Sequence, residues 1–206
     1  MTTVSTVTLD LDGTLLPDTT AFMEVLRRHG READVQASDE QYFAGAITLH
    51  ECFMEQWAWF QELTPADIHR ALRQAPWLAD MDAGIARLHD AGLAVRMLTD
   101  QPSTVTDFGS RWGLEPAICS PVTVKEGRQT AIDFREDKRA NLLAAGLDPS
   151  MVLHVGNGAN DVPVWNAGAT GLAVFASPDV AHHAAQDLGR PASLLEVADA
   201  ALRLLS

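Results

Sequence analysis

The stretch from Val4 to Thr14, VSTVTLDLDGT, decides the fold of this chain. Its first six residues, Val4 to Leu9, are rich in β-branched and apolar side chains, which is typical of a strand buried within a sheet. Asp10 and Asp12 follow at once, and Gly13 favours a turn. The stretch therefore predicts a buried strand that runs into an acidic loop.

From residue 77 onward, helix and strand patterns alternate. Helices that end at a glycine separate short apolar segments, which are predicted as strands: 94–98, 117–119, 152–155 and 172–175. A hairpin is expected within 122–134, around Gly127. Such alternation indicates a parallel sheet with helices on both of its faces. The fold class is therefore α/β, with a three-layer α/β/α, Rossmann-like core.

Residues 17–76 interrupt this core, because they carry helix patterns and no convincing strand. Helices are expected over 19–29 and 49–61, among others. We therefore expect an α/β core domain made of residues 1–16 and 77–206. The intervening residues are expected to form an all-helical cap that is inserted into this core.

Composition narrows the function. The 206 residues include 28 acidic side chains against 15 lysines and arginines, which gives a formal charge of −13. Such a surface repels nucleic-acid phosphates and anionic membranes, so neither is an expected partner. The sequence has no signal-peptide pattern and no apolar run of about 18 residues. Cys52 and Cys119 are too few for a disulfide scaffold. We expect a cytoplasmic protein that acts on a small molecule.

Chemically active side chains lie next to several of the predicted strands. In chain order they are Asp10 and Asp12 after the first strand, Thr99 and Asp100 after the second, Lys138 on the helix before the fourth, and the loop 156–161, GNGAND, after the fourth. In open parallel sheets, ligands bind beyond the carboxyl ends of the strands. These groups are therefore expected along one edge of the sheet.

Phosphoryl transfer is the chemistry that this set of groups favours. A carboxylate such as Asp10 attacks phosphorus once a divalent cation has neutralised the charge between the two anions. Lys138 and the Thr99 hydroxyl are suited to holding the phosphoryl oxygens. Asp12, two residues after Asp10, is suited to protonating the leaving oxygen and then activating water.

The same motifs resemble those of the haloacid dehalogenase-like phosphatase superfamily. The match comprises DLDGT at residues 10–14, the strand ending in Thr99, Lys138 ahead of a helix, and GNGAND at 156–161. The motifs occur in order and span nearly the whole chain. The helical insert, with FAGAIT at residues 43–48, resembles the cap of the phosphoserine-phosphatase-like branch.

The resemblance implies a role for each motif residue. Asp10 would be the nucleophile and a Mg²⁺ ligand, and Asp12 the general acid and base, with its main-chain carbonyl on the metal. Thr99 and Lys138, with Asp100 beside them, would bind the transferred phosphoryl group. Asn157 and Asp161 would complete the metal site.

Asn157 departs from the family pattern, GDGxND, which has an aspartate at this position. Its amide oxygen is able to ligate Mg²⁺ but brings no charge. Three interpretations stay open: Asn157 is a neutral ligand and Asp161 supplies the charge, Asp100 compensates, or the metal site is weakened.

The cap departs from phosphoserine phosphatases as well. Their acid nine residues after the nucleophile is replaced by Thr19, and their Leu-Arg-x-Arg-Val run by FMEQW at 53–57, which has no arginine. A substrate carboxylate therefore loses its partner. We expect a small phosphorylated metabolite other than phosphoserine, with Thr19, His50, Met54 and Trp59 as candidate cap contacts.

Two other functions remain open. One is a phosphotransferase or mutase that uses the same aspartyl-phosphate chemistry with a different acceptor. The other is a non-catalytic protein that has kept the fold and lost its metal. His154, within the fourth predicted strand, is interpreted as a core histidine with its hydrogen bonds satisfied.

Overall fold

A computed structural model describes residues 3–114 and 116–206. The strands are β1 (Thr6–Leu9), β2 (Ala94–Pro102), β3 (Ile118–Ser120), β4 (Val122–Lys125), β5 (Arg128–Ile132), β6 (Val152–Gly156), β7 (Thr170–Ala173) and β8 (Gln186–Asp187). The α-helices are α1 (Ala21–Leu26), α2 (Glu32–Phe43), α3 (Leu49–Phe60), α4 (Pro65–Leu72), α5 (Met81–Asp90), α6 (Ser103–Thr106), α7 (Lys138–Ala144), α8 (Val162–Asn166), α9 (Pro178–Ala181) and α10 (Leu194–Leu205). Short 3₁₀ segments lie at Arg27–His29, Asp107–Trp112 and Pro149–Met151.

Six strands form a parallel sheet in the order β3-β2-β1-β6-β7-β8. Helices flank it, which confirms the predicted α/β, Rossmann-like class. The chain adds β2 and β3 on one side of β1 and then returns to the other side with β6. The carboxyl end of β1 is therefore the point where the strand order reverses, which is where open α/β sheets bind ligands.

The first strand is buried along its whole length, as its apolar sequence predicts. Asp10 continues its ladder, since its N–H donates to the Val155 carbonyl of β6 at 2.9 Å. On the opposite side, Leu9 is in register with Met97 of β2. The acidic loop therefore follows directly on a strand that is paired on both of its sides.

Helices α1 to α4 all come from the segment between β1 and α5, and we call residues 21–72 the helical segment. Its interior is aromatic: Phe22 lies 5.1 Å from Phe53 and 4.7 Å from Phe60, measured between ring centroids. Thr48 and Thr64 cap α3 and α4 through their side chains. On α3, the side chains of Phe53, Trp57 and Phe60 are buried.

The predicted hairpin is present as β4 and β5, and it contacts the helical segment. Gln129 Nε2 on β5 donates to the carbonyls of Phe60 and Leu63 at 3.1 and 3.2 Å. Phe134, which follows β5, stacks on Phe53 of α3 with ring centroids 3.9 Å apart. The hairpin is therefore a bridge between the helical segment and the rest of the chain.

Several element boundaries differ from the predicted ones. Strand β2 was expected to end at Leu98 but continues to Pro102, so Thr99 and Asp100 lie within it. The helix expected at 102–112 is one short α-turn followed by a 3₁₀ segment. The two-residue edge strand β8 was not predicted, because so short a segment has no readable period. Within the described residues, no helix is long and apolar enough to cross a membrane.

Candidate active site

A buried chain of polar contacts starts at the end of β1 and runs beneath the sheet edge. Lys138 Nζ, at the start of α7, lies 2.7 Å from Asp10 Oδ1 and 2.7 Å from Asp161 Oδ1. His154 Nε2 lies 2.9 Å from the same Asp161 oxygen, and its Nδ1 lies 2.9 Å from Thr8 Oγ1. All five side chains are buried. Each therefore has a fixed position, because leaving any partner unpaired is costly.

The two charges at the centre of this chain stabilise each other. Burial alone would lower the pKa of Lys138, but the carboxylates of Asp10, Asp161 and Asp100 outweigh it and raise that pKa above its ordinary value. Burial likewise opposes ionisation of Asp161, yet Lys138 and His154 lower the pKa of that carboxyl below its usual range. Lys138 is therefore a permanent cation beside Asp10.

Asp161 was expected to ligate the metal, but its carboxylate forms hydrogen bonds and ion pairs within the protein instead. Its Oδ2 accepts hydrogen bonds from the backbone N–H groups of Asn157 and Gly158, both at 2.9 Å, and its Oδ1 faces Lys138 and His154. Both oxygens are occupied within the protein and the side chain is fully buried. Asp161 therefore holds the GNGAND loop and Lys138 in place.

Asp12 lies at the wall of an open cavity. Its Oδ1 accepts from the Ala21 N–H at the start of α1 at 2.7 Å, and its Oδ2 accepts from Gln101 Nε2 at 2.5 Å. Burial, together with the Asp100 carboxylate, raises the pKa of Asp12 to about 7. A carboxyl group with such a pKa both gives and takes a proton near neutral pH.

The GNGAND loop is packed closely against the loop after β1. Gly13 has φ +71°, and a Cβ there would lie 2.1 Å from Asn157 Nδ2. Thr14 Oγ1 donates to Asn157 Oδ1 at 3.3 Å. Only glycine satisfies both the left-handed backbone and this contact. The amide of Asn157 therefore sits directly beside the acidic loop.

The cavity has a volume of about 540 Å³ and extends from the sheet edge to the helical segment. At the sheet edge it is lined by Asp12, Gly13, Asp100, Gln101 and Asn157. Thr99, Asp10 and Lys138 are buried and are not among the residues that line the cavity. The structure thus brings the predicted motif residues to one edge, and Asp100 faces the cavity rather than away from it.

A divalent cation suits this edge by its charge and by its donor atoms. Four carboxylates, of Asp10, Asp12, Asp100 and Asp161, act on one another around the single ammonium of Lys138. The donors are all oxygen, which Mg²⁺ prefers. Among residues 3–114 and 116–206, no three His, Cys, Asp or Glu side chains are grouped as a metal site. The fitting set is the Asp10 carboxylate, the Asp12 carbonyl and the Asn157 amide.

The four candidate contacts from the helical segment separate into two groups. Thr19 lines the cavity, and its hydroxyl donates to Glu24 Oε1 at 2.8 Å. His50 instead packs near Phe134, Met54 is exposed, and Trp59 lies under the Arg31 guanidinium. His50, Met54 and Trp59 were expected to face the substrate and do not line the cavity, because they point away from it on α3.

The helical wall of the cavity contains residues that sequence reasoning missed. The most informative of them are Arg27, Asp39, Tyr42, Phe43 and Gln56. They lie on α2, α3 and the turn after α1. Phe43 and Gln56 belong to the FAGAIT and FMEQW segments, but no motif marks the other three. Gln101 was also missed, although its position directly after Thr99 and Asp100 was an available signal.

Comparison with known proteins fits this geometry. The profile of the haloacid dehalogenase-like hydrolase family matches residues 7–165, a range that contains all four motifs. The chain belongs to this family. A phosphoserine phosphatase of Halobacterium salinarum is 26% identical over 191 residues, which cover 86% of this chain and 89% of that protein.

Two solved structures share the fold of this haloacid dehalogenase-like hydrolase. A HAD family hydrolase from Salmonella enterica serovar Typhi superposes with a TM-score of 0.79 at 17% identity, covering 89% of this chain and 67% of that one. A phosphoserine phosphatase, solved as an analogue of its phospho-aspartyl intermediate, gives 0.76 at 18% identity, with 96% and 99% covered. The family and the fold are therefore established together.

Proposed function

We propose that this hydrolase is a magnesium-dependent phosphatase that cleaves a small organic phosphomonoester through an aspartyl-phosphate on Asp10. One observation carries the proposal: the two aspartates of the loop after β1 have different surroundings. The Asp10 carboxylate is buried 2.7 Å from the Lys138 ammonium, whereas the Asp12 carboxyl lies at the cavity wall and accepts from the Ala21 N–H and Gln101 Nε2. Burial raises the pKa of both carboxyl groups, that of Asp12 to about 7. The first suits a nucleophile and the second a proton donor.

The proposed reaction has two steps. In the first, an Asp10 oxygen bonds to phosphorus, the ester P–O bond breaks, and Asp12 gives its proton to the leaving oxygen. In the second, Asp12 takes a proton from water, whose oxygen attacks phosphorus and restores Asp10 and free phosphate. Lys138 and the Thr99 hydroxyl are proposed to hold the phosphoryl oxygens in both steps.

Magnesium is part of the proposal because the sheet edge has more negative charge than Lys138 neutralises. We assign its ligands to the Asp10 carboxylate, the main-chain carbonyl of Asp12 and the Asn157 amide. When bound, Mg²⁺ supplies charge neutralisation between the nucleophile and the phosphate. Asn157 as a neutral ligand is the interpretation that this assignment favours.

The helical segment is proposed to act as a cap over the cavity. Its closure would exclude water during phosphoryl transfer, and its opening would readmit water for hydrolysis. Arg27 is the cation in its wall, and the Arg27 guanidinium is paired with Glu24 and Thr19. Among the described residues that line the cavity, no other side chain is Lys or Arg, so a substrate carboxylate lacks a free counter-ion. We therefore propose a substrate other than phosphoserine. We also place the enzyme in the cytoplasm.

The test is a screen of phosphorylated metabolites with Mg²⁺ present, run on the wild type and on Asp10→Asn. Turnover by the wild type alone supports the proposal, and turnover by both proteins contradicts it. Added alcohols distinguish a phosphotransferase, which would yield a new phosphate ester. A protein that turns over no ester and binds neither Mg²⁺ nor a phosphate-mimicking fluoride complex in calorimetry would be non-catalytic.

A further inference from the structure

The helical wall of the cavity contains a carboxylate without a counter-ion. Asp39 on α2 is half-buried and lines the cavity. Its Oδ1 accepts from Gln56 Nε2 at 2.7 Å and lies 3.7 Å from Cys52 Sγ. Within the described residues, Asp39 forms no ion pair. Burial raises the pKa of this carboxyl, as expected where no cation compensates it.

Aromatic side chains line the same cavity as this carboxylate. Tyr42 and Phe43 lie three and four residues after Asp39 on α2, so all three share one face of the helix. Their rings are 5.3 Å apart, and both line the cavity with Phe53. Phe43 is 82% exposed, a large fraction for a phenylalanine. Aromatic faces beside a carboxylate attract organic cations.

The cavity also contains a buried acceptor that lacks a donor. Gln101 is only 4% exposed, and its Nε2 is committed to Asp12. Its Oε1 has no hydrogen-bond partner within the described part of the chain. A buried carbonyl of this kind is costly unless a ligand supplies an N–H or O–H group. The cavity lining thus includes the carboxylate of Asp39 and Gln101 with its unpaired, buried Oε1, while Arg27, the cation among the described lining residues, is already paired with Glu24.

We propose that the leaving group of the substrate is an alcohol that carries an organic ammonium, with Asp39 as its counter-ion and the rings of Tyr42 and Phe43 as its aromatic wall. The inference rests on the proposed phosphatase function and specifies its substrate class: phosphate esters of amino alcohols. The phosphoryl group goes to Asp10 and then to water, and the released amino alcohol takes its proton from Asp12.

The experiment compares esters that differ only in charge. Phosphocholine and phosphoethanolamine are measured against 3,3-dimethylbutyl phosphate, the neutral carbon analogue of phosphocholine, and against phosphoserine. We expect kcat/KM of the wild type to be at least about tenfold higher for phosphocholine than for its neutral analogue, because that ratio corresponds to a modest ion pair or cation–π contact. Asp39→Asn is expected to reduce this ratio to near one.

A matched control is Glu40→Gln, which removes one charge from an exposed position next along α2 and is expected to keep the wild-type ratio. Binding of choline by calorimetry to wild type and Asp39→Asn gives a second readout that needs no turnover, with loss of binding expected in the variant. Equal losses for charged and neutral esters in Asp39→Asn would mean that Asp39 is merely structural.

The failure of this inference is distinguishable from failure of the proposed function. If the wild type hydrolyses p-nitrophenyl phosphate but prefers the neutral analogue to phosphocholine, the substrate class is wrong and the phosphatase stands. If it hydrolyses none of the four esters but turns over another ester of the metabolite screen, only the substrate class is wrong. If it hydrolyses no ester of that screen and not p-nitrophenyl phosphate, both proposals are wrong.

Discussion

The two ends of the cavity differ in how their side chains are held. At the sheet edge, Asp10, Lys138 and Asp161 are fully buried and fixed by ion pairs and by the backbone of two loops. At the helical end, Asp39, Tyr42 and Phe43 project from one helix into open space with few partners. This difference indicates that the residues at the sheet edge catalyse the reaction and that those at the helical end determine which substrate binds.

We expect the largest loss of activity from a substitution at the sheet edge. Asp10→Asn removes the proposed nucleophile while keeping its size, and we expect kcat to fall by at least about 10³-fold for every phosphate ester. Asp90→Asn, an exposed change at the end of α5, is the control and is expected to keep wild-type kcat. Retention of more than a tenth of the activity in Asp10→Asn would exclude Asp10 as the nucleophile.

Stability should be lowered most by a change at the same edge. Lys138→Met leaves the carboxylates of Asp10 and Asp161 buried without their cation, so we expect a loss of about 3–5 kcal/mol in the free energy of unfolding. Urea denaturation measures it. Lys125→Met, on the exposed hairpin, loses the same charge and is expected to cost under about 0.5 kcal/mol. Similar values for the two variants would contradict the buried network.

A pair of glycines separates backbone strain from the contact between the two loops. Gly13→Ala and Gly127→Ala both place a Cβ on a left-handed residue, at φ +71° and +75°, which costs about 1–2 kcal/mol. Only the Cβ at Gly13 meets Asn157, whereas nothing lies within 4 Å at Gly127. We expect kcat/KM to fall about tenfold or more in Gly13→Ala alone. Equal activity in the two variants would show that the Gly13–Asn157 contact is unimportant.

The smallest effect is expected at Asn157. Asn157→Asp keeps the acceptor that Thr14 bonds and adds a charge to the proposed metal site, so kcat/KM at limiting Mg²⁺ should be equal to or higher than that of wild type. A titration of activity against Mg²⁺ measures this. A large loss of activity would instead assign a specific role to the amide.

The sheet edge could be predicted from the sequence better than the helical end of the cavity. The strand before Asp10 and the glycine-terminated helices predicted the parallel sheet, because both are local sequence patterns. The contacts of Asp161 with Lys138 and His154 could not be predicted from the sequence. These residues lie 23 and 7 positions before Asp161 and meet it only in the folded chain. On α3, His50, Met54 and Trp59 were expected to contact the substrate, but which face of a helix meets a cavity depends on packing with α1, α2 and the hairpin.

Asp10 is proposed to carry the phosphoryl group during turnover, and trapping of the phosphorylated protein tests this directly. Asp12→Asn should slow hydrolysis of the intermediate, because the proton acceptor for water is lost, so mixing this variant with p-nitrophenyl phosphate and Mg²⁺ should trap it. After acid quench, mass spectrometry of the peptide that contains residue 10 is expected to show one added phosphoryl group on Asp10. Turnover by the wild type with the phosphoryl group on another residue, or on none in either protein, would contradict the account.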